Sequence, residues 1–263
     1  MRLADEIGAP LRGYHEKVHW KTEGEGKPVL LLHGGGVSSW MWRPLLDLSE
    51  GSFLAIVPDL PGHGRSTGKT YNTHAEAVAE LVALLEELAP SGAIVVGFSL
   101  GAQLATELAS AHPELVHGAV IVSCEAKPMR GRGLALTLLK WTFPLTRLRW
   151  FARLQARQLA IPELLIDEFV HECRKIDADT LLASVAENIS YELPRSWANF
   201  ANPVSVLVGA RERRLMRDSA ALIQDSLPSS KLTIVKNSGH DIPFTNPKLL
   251  AATIQRLVRG TGS

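Results

Sequence analysis

The sequence predicts an α/β fold: a mostly parallel sheet flanked by helices. Three observations predict it. Short, wholly apolar runs recur with helical patterns between them, as buried parallel strands do. Those runs end at chemically loaded residues such as His33, Asp59, Gly97 and Gly209. The length, 263 residues, suits one large domain or one domain with an insertion.

In chain order, residues 14–20 alternate loosely, as a half-exposed edge strand would, and Gly24-Glu25-Gly26-Lys27-Pro28 reads as a turn. Strands are expected at 29–32, 53–57, 93–96, 119–122, 204–208 and 232–235. The clearest helix is 74–88, introduced by Thr73 with Glu76 three residues on, a capping box. Val78, Leu81, Val82, Leu85 and Leu88 form its apolar stripe, and Pro90 follows its end. A helix from 100 to about 111 places Leu104, Ala105 and Leu108 on one face. A C-terminal helix over 247–259 does the same with Leu250, Ile254, Leu257 and Val258. Residues 126–198 hold helical stretches and no good strand, and the β/α alternation resumes at Val204. The simplest account is a helical cap, 126–198, inserted between strands 6 and 7 of a core formed by 1–125 and 199–263.

Lys plus Arg number 28 against 27 for Asp plus Glu, a net charge of +1 that gives no general attraction to nucleic acid. Cys124 and Cys173 are the two cysteines and read as free thiols of a reducing compartment. Met1-Arg2-Leu3-Ala4-Asp5-Glu6 has early acids and no apolar core, so it does not read as a secretory signal. No uncharged apolar run approaches the ~18 residues of a membrane span. A soluble, cytoplasmic protein without an integral span is expected. Gly62-His63-Gly64-Arg65-Ser66-Thr67-Gly68-Lys69-Thr70 has the look of a phosphate-binding loop, but its glycine spacing is wrong and the next helix is capped separately at Thr73.

Gly97-Phe98-Ser99-Leu100-Gly101 stands between an apolar strand and a helix, the setting of a nucleophile elbow. A serine hydroxyl needs a base to take its proton and an acid to orient that base. Of nine histidines only His240 lies beyond residue 171, in a loop just after the last strand. For the acid, Glu212 is the first carboxylate after the strand at 204–208; Glu125 and Asp218 are rivals, Asp218 reading better as a helix N-cap. His33-Gly34-Gly35-Gly36 follows the strand at 29–32, and its glycines let backbone N–H groups approach a ligand. The amides of Gly35 and Leu100 are the expected oxyanion donors.

These stretches, with Asp59-Leu60-Pro61-Gly62-His63-Gly64-Arg65-Ser66 and Gly239-His240, resemble the α/β-hydrolase superfamily, in its small cap-bearing branch. The resemblance runs from about residue 28 to the C-terminus. It implies a Ser-His-acid triad with no metal and no organic cofactor, and makes the Asp59–Ser66 stretch a structural turn. Three positions depart from the family pattern: Glu212 where Asp is common, Arg213-Arg214 where a proline often sits, and Ala102 for a frequent glycine. A serine nucleophile argues against the dehalogenase and epoxide-hydrolase members. The expectation is a serine hydrolase acting on a small or medium, largely apolar ester through an acyl-enzyme. A C–C bond hydrolase, a cofactor-free haloperoxidase or a triad-bearing small-molecule receptor are the alternatives.

Between Ala126 and Pro162 stand Lys127, Arg130, Arg132, Lys140, Arg147, Arg149, Arg153 and Arg157, with no Asp or Glu. Amphipathic cap helices with solvated cations are the plain reading. Attraction of an anionic substrate or acyl-carrier partner, and contact with an anionic membrane surface, are the others. Trp141 and Phe143 are the residues expected to line an apolar substrate pocket above Ser99.

Overall fold

Runs of β-branched and leucine residues make the inner strands of a seven-stranded sheet, because buried pleats favour such side chains. The computed structural model describes residues 18–49 and 51–260. Its strands are β1 (Trp20–Glu23), β2 (Pro28–Leu32), β3 (Leu54–Pro58), β4 (Ala93–Phe98), β5 (Val116–Val122), β6 (Val204–Gly209) and β7 (Lys231–Val235). They form one sheet in the order β1-β3-β2-β4-β5-β6-β7, antiparallel only between β1 and β3. The helices are α1 (Arg43–Ser49), α2 (His74–Leu88), α3 (Leu100–Ala111), α4 (Arg132–Thr146), α5 (Arg149–Gln158), α6 (Ile166–Lys175), α7 (Ala178–Ser190), α8 (Arg214–Ser226), α9 (Ile242–Thr245) and α10 (Pro247–Gly260).

Period-two alternation divides each strand between two cores. Leu30, Leu32, Val95, Ile121 and Val206 pack with α2, α3 and α8, whereas Val29, Leu31, Val96, Val120 and Leu207 pack with α1 and α10. Each such side chain contributes roughly 1.5–3 kcal/mol when fully buried. Thr73 caps α2 by accepting from the Glu76 amide at 3.1 Å. Glu76 accepts from Asn72 Nδ2 instead of closing the box on the cap itself.

The expected edge strand at 14–20 lies largely outside the described residues; the described β1 starts at Trp20. The helical segment falls between β5 and β6, the fifth and sixth strands of this sheet rather than the sixth and seventh. The difference is one of numbering, since five of the strands expected from the sequence already precede residue 126. Asp218 is not an N-cap either. Helix α8 begins a full turn earlier, and Asp218 sits inside it, paired with Arg214 four residues back at 3.4 Å.

The order β3-β2-β4 matters for function. The chain leaves β2 to one side and returns on the other, a switch point where the carboxyl ends of two strands diverge and leave a crevice. The register pairs Leu32 with Gly97, so the segments following β2 and β4 emerge side by side.

Candidate active site

Ser99 stands where β4 must become α3 within one residue. Its φ is 53° and ψ −116°, a conformation that costs an L-residue energy and points the side chain out of the turn. The turn is tight enough to dictate its neighbours. A Cβ on Gly97 would land on the Gly101 carbonyl, and one on Gly101 would land on the Leu32 carbonyl. Both positions therefore need glycine for close packing. The Ser99 amide donates to Val122 O at 2.9 Å, which ties the elbow to β5.

The loop after β7 delivers the histidine. Its backbone is stitched to the loop after β6, since the Ala210 amide donates to Val235 O and the Arg211 amide to Ser238 O. Gly209 lies flat against Ser238 and Gly239, and Asp241 Oδ1 accepts from the Gly239 amide at 2.9 Å. His240 then reaches Ser99: Nε2 is 3.0 Å from Ser99 Oγ, and Nδ1 is 3.1 Å from Glu212 Oε2. The imidazole ring also leans on Phe98, with centroids 4.8 Å apart.

Glu212 is buried and fully engaged. Its Oε1 accepts from Ser123 Oγ at 2.5 Å and from the Gly209 amide at 3.1 Å. None of the neighbouring arginines takes its carboxylate: Arg211 donates to Asn237 Oδ1, Arg214 pairs with Asp218, and Arg217 donates to the Glu212 carbonyl. Glu125 comes near without joining the chain of bonds. Its Oε1 is buried with no hydrogen-bond partner, and burial pushes its carboxyl above the ordinary range, although Arg213 and His240 pull the other way. Among the three carboxylates considered, only Glu212 bonds the imidazole.

The loop after β2 is held from every side. His33 Nδ1 bonds Gly34 O at 2.7 Å, and its Nε2 accepts from the Leu60 amide at 2.9 Å. His63 Nε2 accepts from the Gly36 amide at 3.3 Å, and Asp59 Oδ1 from the Ser39 amide at 2.8 Å. Burial drives both imidazoles below their ordinary value, so each is neutral and free to accept. From the far side comes Glu172 of α6. Its Oε2 accepts from Ser38 Oγ at 2.8 Å and its Oε1 from the Gly64 amide at 2.6 Å.

Gly35, Gly36, Ser99 and Leu100 form the floor of a cavity of about 370 Å³. Its walls are Leu139 and Thr146 of α4, Leu159, Phe169, Cys173, Ile176, Leu181 and Val185, with Gln155, Ser184 and Asn188 as polar points. Among the described residues no charged side chain lines it. Burial pushes the Cys173 thiol up to about 12, so it acts there as a neutral apolar wall.

Trp141 and Phe143 do not line this cavity. Trp141 is two residues beyond Leu139, which turns it about 160° away around α4, and it is 80% exposed. Phe143 is half-buried beneath the Arg147 guanidinium, 5.1 Å from its ring centroid. Leu139 and Thr146 take the place these two were expected to hold. Ser123, bonded to Glu212, and Glu172, bonded beside the glycine loop, stand out only in the folded chain. Glu172 had one sequence signal, a carboxylate lying within the Phe169, Val170, Cys173 stripe.

A model of the alpha/beta hydrolase family matches residues 29–253. The chain belongs to that family. This hydrolase is 29% identical over 246 residues to the pimeloyl-[acyl-carrier protein] methyl ester esterase of Vibrio vulnificus, covering 88% of the chain and 94% of that protein. Two solved structures share its fold. A bromoperoxidase from Bacillus anthracis superimposes with a TM-score of 0.80 at 17% identity, over 91% of this chain and 94% of the other. A thermophilic esterase from Thermogutta terrifontis does so with 0.77 at 19%, over 94% of each. Within the described residues no helix is long and apolar enough to cross a membrane.

Proposed function

We propose that the chain is a serine hydrolase of small or medium, largely apolar carboxylic esters, working through an acyl-enzyme. The observation that carries the reading is the unbroken line Glu212–His240–Ser99, opening onto an uncharged cavity. Residues 126–198 act in it as a cap over a core of 1–125 and 199–263.

His240 Nε2 takes the Ser99 proton as Oγ attacks the ester carbonyl. The Gly35 and Leu100 amides, both on the cavity floor, hold the oxygen that becomes negative; Leu100 opens α3, where the helix dipole favours an anion. Imidazolium gives the proton to the departing alcohol. Water enters, loses a proton to the same nitrogen, and releases the acid and free Ser99. Glu212 keeps Nδ1 protonated and stabilises the imidazolium throughout. Neither a metal nor an organic cofactor takes part in this scheme.

A methyl ester of an aliphatic acid suits the cavity, whose apolar walls would take the chain and whose lack of charge disfavours a carboxylate inside. The name of the Vibrio relative supports that choice. It also raises contact with an acyl carrier through the basic residues of 126–162; inhibition of ester turnover by added acyl-carrier protein tests that second reading. Buried free thiols at Cys124 and Cys173 suit a reducing cytoplasm.

Labelling with a fluorophosphonate and turnover of p-nitrophenyl and methyl esters of rising chain length test the main reading. Ser99→Ala and His240→Ala are expected to lower kcat at least about 10³-fold. Labelling that survives Ser99→Ala would remove the nucleophile. Ligand-induced stabilisation with no turnover of any ester would make the chain a receptor instead.

A further inference from the structure

Helix α4 has two apolar sides and almost no core. One side gives Leu139 and Thr146 to the cavity, and Thr146 is its one buried residue. The other side sets Leu134, Leu138, Trp141 and Leu145 at spacings of four, three and four. That spacing brings all four within about 60° of one another around the helix, and all are exposed. Leu148, Trp150 and Leu154 extend the patch onto α5. Of ten exposed large apolar side chains among the described residues, eight fall between 134 and 164, so the exposure is concentrated and not scattered.

Charge is concentrated in the same place. Residues 126–162 hold eight cations and no carboxylate, whereas the rest of the chain holds 20 against 27, a net charge of −7. The nearest compensating carboxylate is Asp167 of α6, which meets Arg149 at 3.2 Å and Arg153 at 3.4 Å at the patch margin.

We propose that the outer face of α4 and α5 docks on an anionic lipid bilayer. On α5, Arg149, Arg153 and Arg157 share one surface hollow with Leu148, Trp150 and Leu154, the mixture that a headgroup boundary accepts, apolar tips inward and cations against lipid phosphate. The opposite sign on the rest of the molecule orients it with this face down. Two other occupants fit less well. A second copy in a two-fold dimer would set eight cations against eight. An acyl carrier, or any partner held by charge, leaves the leucine and tryptophan stripe in water. Docking also gives α4 a purpose. The helix separates the bilayer from the cavity, so an apolar ester dissolved in lipid has one helix to pass to reach Ser99. That last step rests on the ester-hydrolase reading, while the docking does not.

The test is flotation of the full chain with vesicles of phosphatidylglycerol and phosphatidylcholine in equal parts, against phosphatidylcholine alone. Binding is expected to the anionic vesicles, weaker by at least about tenfold on neutral ones and in high salt. Leu138→Ser with Trp150→Ser is expected to abolish flotation and leave hydrolysis of p-nitrophenyl acetate at the parent rate. If that pair misfolds and loses hydrolysis, Arg153→Glu with Arg157→Glu, beside Trp150 and Leu154 on α5, replaces it, with the same expectation. Absence of flotation at low salt overturns the proposal, as does flotation that neither variant weakens. Acyl-carrier protein binding, or dimerisation that the variants abolish while vesicles are ignored, assigns the face to that partner and overturns it too. A chain that floats yet hydrolyses no ester removes the functional reading and leaves the docking surface standing.

Discussion

Ser123 donates its hydroxyl to Glu212 at 2.5 Å, on the carboxylate oxygen opposite the one that meets His240. Such a short bond to a carboxylate is charge-assisted and fixes the acid in one rotamer. Ser123 itself sits at φ 53°, immediately after β5, so sheet and acid are joined through a strained residue. Ser123→Ala is expected to lower kcat by about tenfold with KM unchanged, from loss of about 1.5 kcal/mol of orientation. Steady-state kinetics with one ester would decide; a change confined to KM would place Ser123 outside the catalytic line.

The acid itself is tested by comparison. Glu212→Gln is expected to cost on the order of 10²-fold or more in kcat, since the amide presents the wrong partner to Nδ1–H. Glu125→Gln, which makes no bond to the imidazole, is expected to stay within about threefold. The reverse ranking would transfer the role to Glu125.

Close packing at the elbow sets a different kind of limit. Gly101→Ala forces a methyl into the Leu32 carbonyl, and a loss of about 3 kcal/mol or more is expected in urea unfolding. Gly35→Ala meets only Leu100 side-chain atoms, the nearest at 3.8 Å, and should fold at near-parent stability. Equal stability of the two variants would contradict the packing argument.

Stability should fall in mild acid. His33 and His63 lie with ring centroids 5.2 Å apart beneath the glycine loop. Burial, and for His33 the neighbouring His63, hold them below 6.5, His33 at about 3. The unfolded chain therefore binds more protons than the native one below pH 6.5; His33 costs up to about 1.4 kcal/mol per pH unit on the way down toward 3, and His63 adds to the loss in the same direction. Asp59 adds to the loss below 3.8: burial raises its carboxyl, but His33 and the Arg65 and Ser39 amides bring it lower overall. Urea midpoints between pH 7 and 5 are expected to decline, and His63→Gln to flatten the slope. A flat parent profile would mean that the imidazoles are not held neutral.

Local signals were the readable ones. The elbow, the glycine loop and the segment of His240 each follow a strand end, where apolar runs stop abruptly at polar or glycine residues. Thr73 announced α2 because a capping bond spans three residues. Contacts across long separations left no such trace: Ser123 meets Glu212 across 89 positions, and Ser38 meets Glu172 across 134. The rotation of α4 was equally hidden. Hydrophobicity cannot tell an inward face from an outward one when both are apolar, so Trp141 read as pocket wall although it faces out.

Glu172 has a consequence for how freely the helical segment between β5 and β6 can be exchanged. Its carboxylate belongs to α6 in that segment, but Ser38 and Gly64, the groups it satisfies, stand beside the glycine loop after β2. A segment transplanted from a cousin without a carboxylate at that place would leave a buried hydroxyl and amide unanswered. It would also loosen the loop that carries Gly35. The segment is therefore not a free module: any exchange of it must keep a carboxylate where Glu172 stands, because the loop on the cavity floor is tied to it.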